Sequence, residues 1–326
     1  MQKKTKQIIY AVVFGAMIPA ILAEIALWKF SSKSVLPIEI SETTILATEQ
    51  TEQEEVKSFY IPVIFENGSV MDMELEAYIT GVVLAEMPAD FEREALKAQA
   101  VVARTYALKG YYGKEKHPNR AICTNPSCCQ AYCAPEDYKG TSTSYEKVKN
   151  AVLQTSLEVL TYQSELIDAT YFSCSGGKTE DAKAVWGADV PYLRSVESPG
   201  EETAAHYMDT IYFTLQEFAE CMQINVQNLR GNWVGEVTYT NGGGVENITI
   251  CGNQYTGTQM RKLLGLRSTA FAVTAVGNTV TVTTKGFGHR VGMSQYGADA
   301  MAVSGKNYQE ILAYYYQGTV IEKIAI

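Results

Sequence analysis

The run from Ile8 to Trp28 constrains the chain most: twenty-one almost wholly apolar residues, preceded by Lys3, Lys4 and Lys6. A helix of that length crosses a hydrocarbon core of ~30 Å at about 1.5 Å per residue. The lysines favour an N-terminus retained in the cytoplasm. The run therefore predicts an uncleaved, single-pass anchor, with everything after it outside the cytoplasm. Pro19 and Glu24 interrupt it, but Glu24 lies near its far end, where Trp28 suits the membrane interface. A cleaved export signal ending at Ile21-Leu22-Ala23 is the alternative, and it sends the remaining chain to the same side.

Residues 31–57 hold six Glu and two Lys among many Ser and Thr, with little apolar periodicity, and read as an acidic flexible linker. The expected organisation is a basic leader and transmembrane anchor (1–30), a linker (31–57) and one folded domain (58–326). The balance of 27 Lys and Arg against 36 Asp and Glu, a net charge of −9, excludes general nucleic-acid binding. Three histidines in the whole chain leave little room for a multi-histidine metal centre or relay.

Within 58–326 the pattern predicts a strand over Phe59–Phe65 and a turn at Asn67-Gly68. The apolar positions Leu75, Tyr78, Ile79, Val82 and Val83 follow the helical period and predict a helix from Glu74 to Met87, where Pro88 ends it. A second helix is expected from a cap at Asp90 to about Tyr111. A loop rich in Pro, Gly and Cys covers 113–140, and a helix Tyr145–Thr155. Glu158–Tyr171 looks strand-rich, 236–283 reads as hairpins, and helices close the chain at Met293–Val303 and Asn307–Tyr316. Helices and strands fall in separate groups, so an α+β fold is expected.

Glu86 extends the apolar stripe of its helix to a terminus flanked by Leu84, Ala85, Met87 and Pro88. A carboxyl placed there is desolvated, which favours the protonated acid that cleavage of a glycosidic bond needs. A Glu paired with an Arg, or simply solvated, fits the same pattern. Lys97 and Arg104 lie seven residues apart on one helix face, either to grip an anionic or carbonyl-bearing substrate or as a solvated face. The turn Ser173–Thr179 offers hydroxyls and backbone N–H groups. It is not a nucleophile elbow, because GxSxG is absent. His117, Cys123, Cys128, Cys129 and Cys133 fall within seventeen residues. They supply enough N and S ligands for a tetrahedral Zn²⁺, or one or two disulfides in an exported domain. Cys174, Cys221 and Cys251 read as isolated apolar residues, and His206 and His289 as structural ones.

Four blocks together resemble the stage II sporulation protein D family. They are LEAYITGVVLAEMPADFEREALKAQAVVARTYAL (Leu75–Leu108), CQAY (Cys129–Tyr132), YFSCSGGKTEDA (Tyr171–Ala182) and VGMSQYGADAMA (Val291–Ala302). They stand in the family's order and span about residues 60–318. The resemblance implies a lytic transglycosylase that cleaves the bond between N-acetylmuramic acid and N-acetylglucosamine in peptidoglycan during engulfment, leaving a 1,6-anhydro end. It implies Glu86 as the catalytic acid and base. It also implies substrate contacts from Lys97, Arg104, Ser173, Gln295 and Tyr296, and a structural zinc on His117, Cys123, Cys128 and Cys129.

Cys128 stands where zinc-bearing members place a His, and Cys133 competes with it as the fourth ligand. Arg290 stands where the family commonly has Gly, and is expected to put an extra cation on the groove rim. The implied partners are glycan strands, an amidase that strips their stem peptides and a polytopic membrane protein. The implied location is the space between mother cell and forespore membranes. A non-catalytic amidase enhancer that binds glycan is the alternative function.

Overall fold

The computed structural model describes residues 58–113 and 116–325. The anchor run and the acidic linker lie outside the described residues. Among the described residues, no helix is long and apolar enough to cross a membrane.

The chain enters through strand β1 (Tyr60–Ile64), which pairs antiparallel with β2 (Val70–Glu74) across the Asn67-Gly68 turn. Glu74 then caps helix α1 (Leu75–Glu86), its carboxylate accepting from Ala77 N. Helix α2 (Arg93–Tyr112) starts later than expected. Asp90 is not its cap; Glu92 holds that position without a side-chain cap, and the Glu92 N–H donates to Asp299 Oδ1 at 2.7 Å. That partner lies 207 residues away, beyond any local signal. The alanines of α2 are fully buried and admit close neighbours, among them α3 (Ser142–Gln154), capped by Thr141. Strand β3 (Ile122–Cys123) joins β1 in parallel, which fixes Cys123 to a sheet.

After α3, β4 (Glu158–Tyr162) pairs with β5 (Glu165–Leu166) and with the C-terminal strand Val320–Lys323. Strand β6 (Tyr171–Phe172) follows, then the short helix α4 (Ala182–Trp186). Two three-stranded antiparallel sheets fill the middle of the chain. One is β7 (Met208–Thr214), β11 (Ala270–Val276) and β12 (Thr279–Lys285); the other is β8 (Val234–Tyr239), β9 (Val245–Ile250) and β10 (Asn253–Thr256). Helices α5 (Leu215–Met222) and α6 (Gly257–Leu264) pack on them. Strand β13 (Met293–Ser294) leads directly into α7 (Gln295–Val303), and α8 (Tyr308–Tyr315) ends the helical part.

The mixture of helices and strands is α+β, as expected. Buried apolar side chains gather in two clusters. The larger is built from α1, α2, β4, Val291, Met293 and α8. The smaller is built from α5, β9, α6 and β12.

Candidate active site and cysteine cluster

Glu86 is the last residue of α1. Met87 leaves the helical region at φ −125° and ψ 141°, so the chain turns away and leaves the carboxyl at an open helix end. Three other segments converge on it. Gly81, one turn earlier, carries no side chain, and a Cβ there would strike the Tyr132 ring and Cys133 O. That close approach lays residues 130–133 along α1, held by Cys133 N to Gly81 O at 3.0 Å. Ala131 N can then donate to Glu86 Oε1 at 3.2 Å.

The second and third segments arrive together. β6 and β13 pair in parallel, Met293 opposite Tyr171 and Ser294 opposite Phe172. Gly292 permits the approach, since a Cβ there would meet Thr170 O, and its φ of +85° suits glycine. This pairing brings the Tyr171 hydroxyl to Glu86 Oε1 at 3.2 Å, and sets the buried Gln295 amide near enough to the carboxyl to favour its charged form.

Burial pushes the Glu86 pKa above the usual carboxylate range, and the donors Ala131 N, Tyr171 and Gln295 only partly offset that. Tyr171→Phe removes one donor to the charged form. We expect the Glu86 carboxyl of this variant to titrate at a higher pH than in wild type, read by NMR, because the proton is held more tightly. A midpoint that stays put or moves down would contradict the geometry.

The carboxyl opens onto a cleft of about 490 Å³ walled by Tyr106, Phe172, Trp186, Phe287 and His289, with Pro126, Ser127 and Cys128 on the opposite loop. The His289 ring lies 5.2 Å from Trp186 and 5.7 Å from Phe172. Its Nδ1 accepts from Val291 N at 3.1 Å. Burial, reinforced by the charge of Arg261, lowers its pKa to about 4, so it is neutral at physiological pH. Sequence reasoning read His289 as structural and passed over Tyr171 and Trp186. Among the described residues lining the cleft, Glu86 is the one carboxylic acid.

The other expected substrate residues divide. Ser173, Gln295 and Tyr296 do come together. Ser173 O accepts from Tyr296 N at 3.1 Å and from Ser294 Oγ at 3.4 Å, and the Tyr296 ring packs on Phe91 at 4.9 Å. Arg104 is a correction. It is fully buried, its guanidinium forked onto Glu76, with Nη1 donating to Glu158 O at 3.0 Å. Every polar arm is spent inside the fold. Lys97 is likewise not at the cleft: it pairs with Glu94 at 2.7 Å and lies 5.7 Å over the Tyr308 ring, tying α2 to α8. Arg290 is a further correction. It is 2% exposed, hence interior rather than on a rim.

The loop after α2 gathers His117, Cys123, Cys128 and Cys129, whose ligand atoms all lie within 4.8 Å of one another. Cys128 Sγ is 3.3 Å from His117 Nε2, Cys129 Sγ is 3.6 Å from it, and the two sulfurs are 3.9 Å apart. Tetrahedral Zn²⁺ with S and N ligands has ligand–ligand edges of about 3.6–3.8 Å, close to the separations among His117, Cys128 and Cys129, so the donor set suits that ion. Burial and the adjacent thiols push Cys129 up to about 12. Cys133 stands apart, its Sγ directed to Ala134 O at 3.5 Å, so Cys128 completes the set. The cysteines among the described residues are free thiols rather than disulfides.

The chain is similar in sequence to known proteins. A family model described as "Stage II sporulation protein" matches residues 66–162, the stretch that runs through Glu86 and the cysteine cluster. Stage II sporulation protein D of Bacillus subtilis (strain 168) is 41% identical over 265 residues, which is 79% of this chain and 77% of that protein. The Bacillus amyloliquefaciens protein of the same name is 39% identical, over 79% of this chain and 76% of its own. A more distant relative, the amidase enhancer of Bacillus subtilis, is 29% identical over 74% of this chain but only 40% of that protein. With 41% identity over 79% of its length to one member and 39% to another, the chain belongs to the stage II sporulation protein D family.

Proposed function

We propose that this sporulation protein is a lytic transglycosylase acting on peptidoglycan glycan strands, with Glu86 as both acid and base. The observation that carries the reading is a lone, desolvated carboxyl in a cleft walled by aromatic rings. Ordinary glycosidases use two carboxyl groups, one of them to activate water or to attack the sugar. A single carboxyl suffices when the substrate supplies its own nucleophile.

The proton on Glu86 passes to the oxygen joining N-acetylmuramic acid to N-acetylglucosamine as that bond breaks. The oxocarbenium-like centre is then attacked by the C6 hydroxyl of the same muramic acid. Glu86, now a carboxylate, removes the hydroxyl proton and returns to its starting state. Tyr171, Gln295 and Ala131 N stabilise the carboxylate between the two transfers. Purified protein acting on denuded strands should therefore release fragments without creating reducing ends. New reducing ends would mean hydrolysis, and no release would favour the enhancer reading that the amidase enhancer's similarity supports.

Trp186 is 47% exposed beside the cleft and offers an aromatic face to a sugar ring. Trp186→Ala is expected to raise KM roughly tenfold, about 1.4 kcal/mol of lost stacking, with a smaller change in kcat. Steady-state kinetics on chains of defined length checks this. An unchanged KM would remove Trp186 from the substrate path.

His117, Cys123, Cys128 and Cys129 would hold a structural Zn²⁺. Four protein ligands leave no open position, so the ion would supply fold stability rather than chemistry. The loop it closes carries Ala131, whose N–H serves Glu86. Metal analysis should find one zinc per chain, and chelation should lower both the melting temperature and the activity. Zinc-free protein with full activity would exclude the site. The anchor Ile8–Trp28 would place the cleft outside the cytoplasm, between mother cell and forespore membranes, where an amidase would supply denuded strands and a polytopic membrane protein would join the assembly.

A further inference from the structure

We propose that Arg290 is a positioning residue, a buried fork that fastens the two hydrophobic clusters together and so holds the 289–295 run in register with Glu86; its kinetic consequence rests on the lytic reading above. The backbone at Arg290 is left-handed, with φ +64°, a conformation that side-chain-bearing residues seldom adopt. The side chain has to compensate for that, and each polar arm is used. Nε donates to Ser175 O at 2.7 Å, and Nη2 donates to Lys178 O and to Gly242 O, both at 2.7 Å. Nη1 faces Glu180 Oε1 at 3.3 Å, with side chains 3% and 1% exposed.

Glu180 Oε1 in turn accepts from Thr240 Oγ1 at 2.8 Å and from Gly244 N at 2.9 Å. The pair therefore joins three segments: the turn at 175–180, the 240–244 turn between β8 and β9, and the strand-like run that starts at Arg290. The 240–244 turn leads into Val245 and Ile248 of the smaller cluster, whereas Val291 and Met293 belong to the larger one. The same run has His289 of the cleft wall on one side of Arg290 and Gln295, beside Glu86, on the other.

A lysine keeps the charge but cannot reach three carbonyls from one planar group. Removing Arg290 alone strands the Glu180 charge in the interior, so Arg290→Gly by itself confuses misfolding with misplacement. The double variant Arg290→Gly, Glu180→Gln removes both charges and gives the left-handed position to glycine.

The test uses the full-length protein, with turnover expressed per folded molecule. The double variant is expected to lose about tenfold to a hundredfold in kcat with KM within about threefold, the signature of a displaced catalytic group. Amide exchange should quicken at 291–295 as well as at 240–244. Arg290→Lys is expected to show the same pattern, and it carries the test if the double variant does not fold. Turnover within about twofold of wild type, or unchanged exchange at 291–295, would overturn the proposal. If wild type itself makes no anhydro ends, the lytic reading fails, and the exchange result alone decides the role of Arg290.

Discussion

Glu86→Gln is expected to leave a folded protein whose release of anhydro-ended fragments falls at least about a thousandfold, the scale of a lost general acid. Glutamine keeps the shape of the side chain but has no proton to give to the glycosidic oxygen. It also cannot act as the base that draws the proton from the C6 hydroxyl. Because both transfers run through one group, one substitution removes both. The fold should not suffer, because the carboxylate is held against its desolvation and a neutral amide avoids that cost. Glycan binding should survive too, since the aromatic walls are untouched. Retained turnover in this variant, with normal melting, would remove Glu86 from the chemistry.

Arg104→Ala is expected to cost about 3–5 kcal/mol of stability, the range for breaking a buried ion pair from one side. Glu76 would be left 5% exposed, with only Ser156 Oγ at 3.1 Å and Leu157 N at 3.0 Å to solvate its charge. The loss of Nη1 also frees the carbonyl of Glu158, at the start of β4. Equilibrium urea unfolding measures the effect directly. Arg104→Met combined with Glu76→Leu should recover much of the loss and retain turnover per folded molecule. This distinguishes an architectural arginine from one that touches glycan. A substrate contact would instead show as a raised KM in the double variant, with Arg104→Ala itself near wild-type stability.

The long helices were legible because α1 and α2 carry their apolar residues at the helical period, and Met87-Pro88 marks a stop. The placement of Glu86 at the end of the apolar stripe followed from the same period. Its partners did not, because Ala131, Tyr171 and Gln295 come from three distant segments joined only by tertiary packing. Arg104 shows the limit in another form. The seven-residue spacing from Lys97 is real, but a helix face says nothing about the Glu76 on the neighbouring helix that claims it.

Helix α6 falls inside the 236–283 stretch read as hairpins, and α5 lies where the sequence reading assigns no element. Their signals were local and available: Thr214 with Glu217 and Thr256 with Gln259 form reciprocal capping boxes. The cysteine loop was legible as a ligand set but ambiguous in membership. Cys128 and Cys133 are equivalent by count, and only the fold directs Cys133 toward Ala134. Arg290 stood out as a departure from its motif, yet its destination depended on the 240–244 turn, which no pattern near the motif announces.

The central claim, that one carboxyl cleaves the strand with no water consumed, is tested most directly by digesting denuded glycan in ¹⁸O-labelled water and weighing the products. We expect anhydro-ended fragments free of the label from wild type and no fragments from Glu86→Gln. Fragments carrying one ¹⁸O at a new reducing end would identify a hydrolase and contradict the single-carboxyl account.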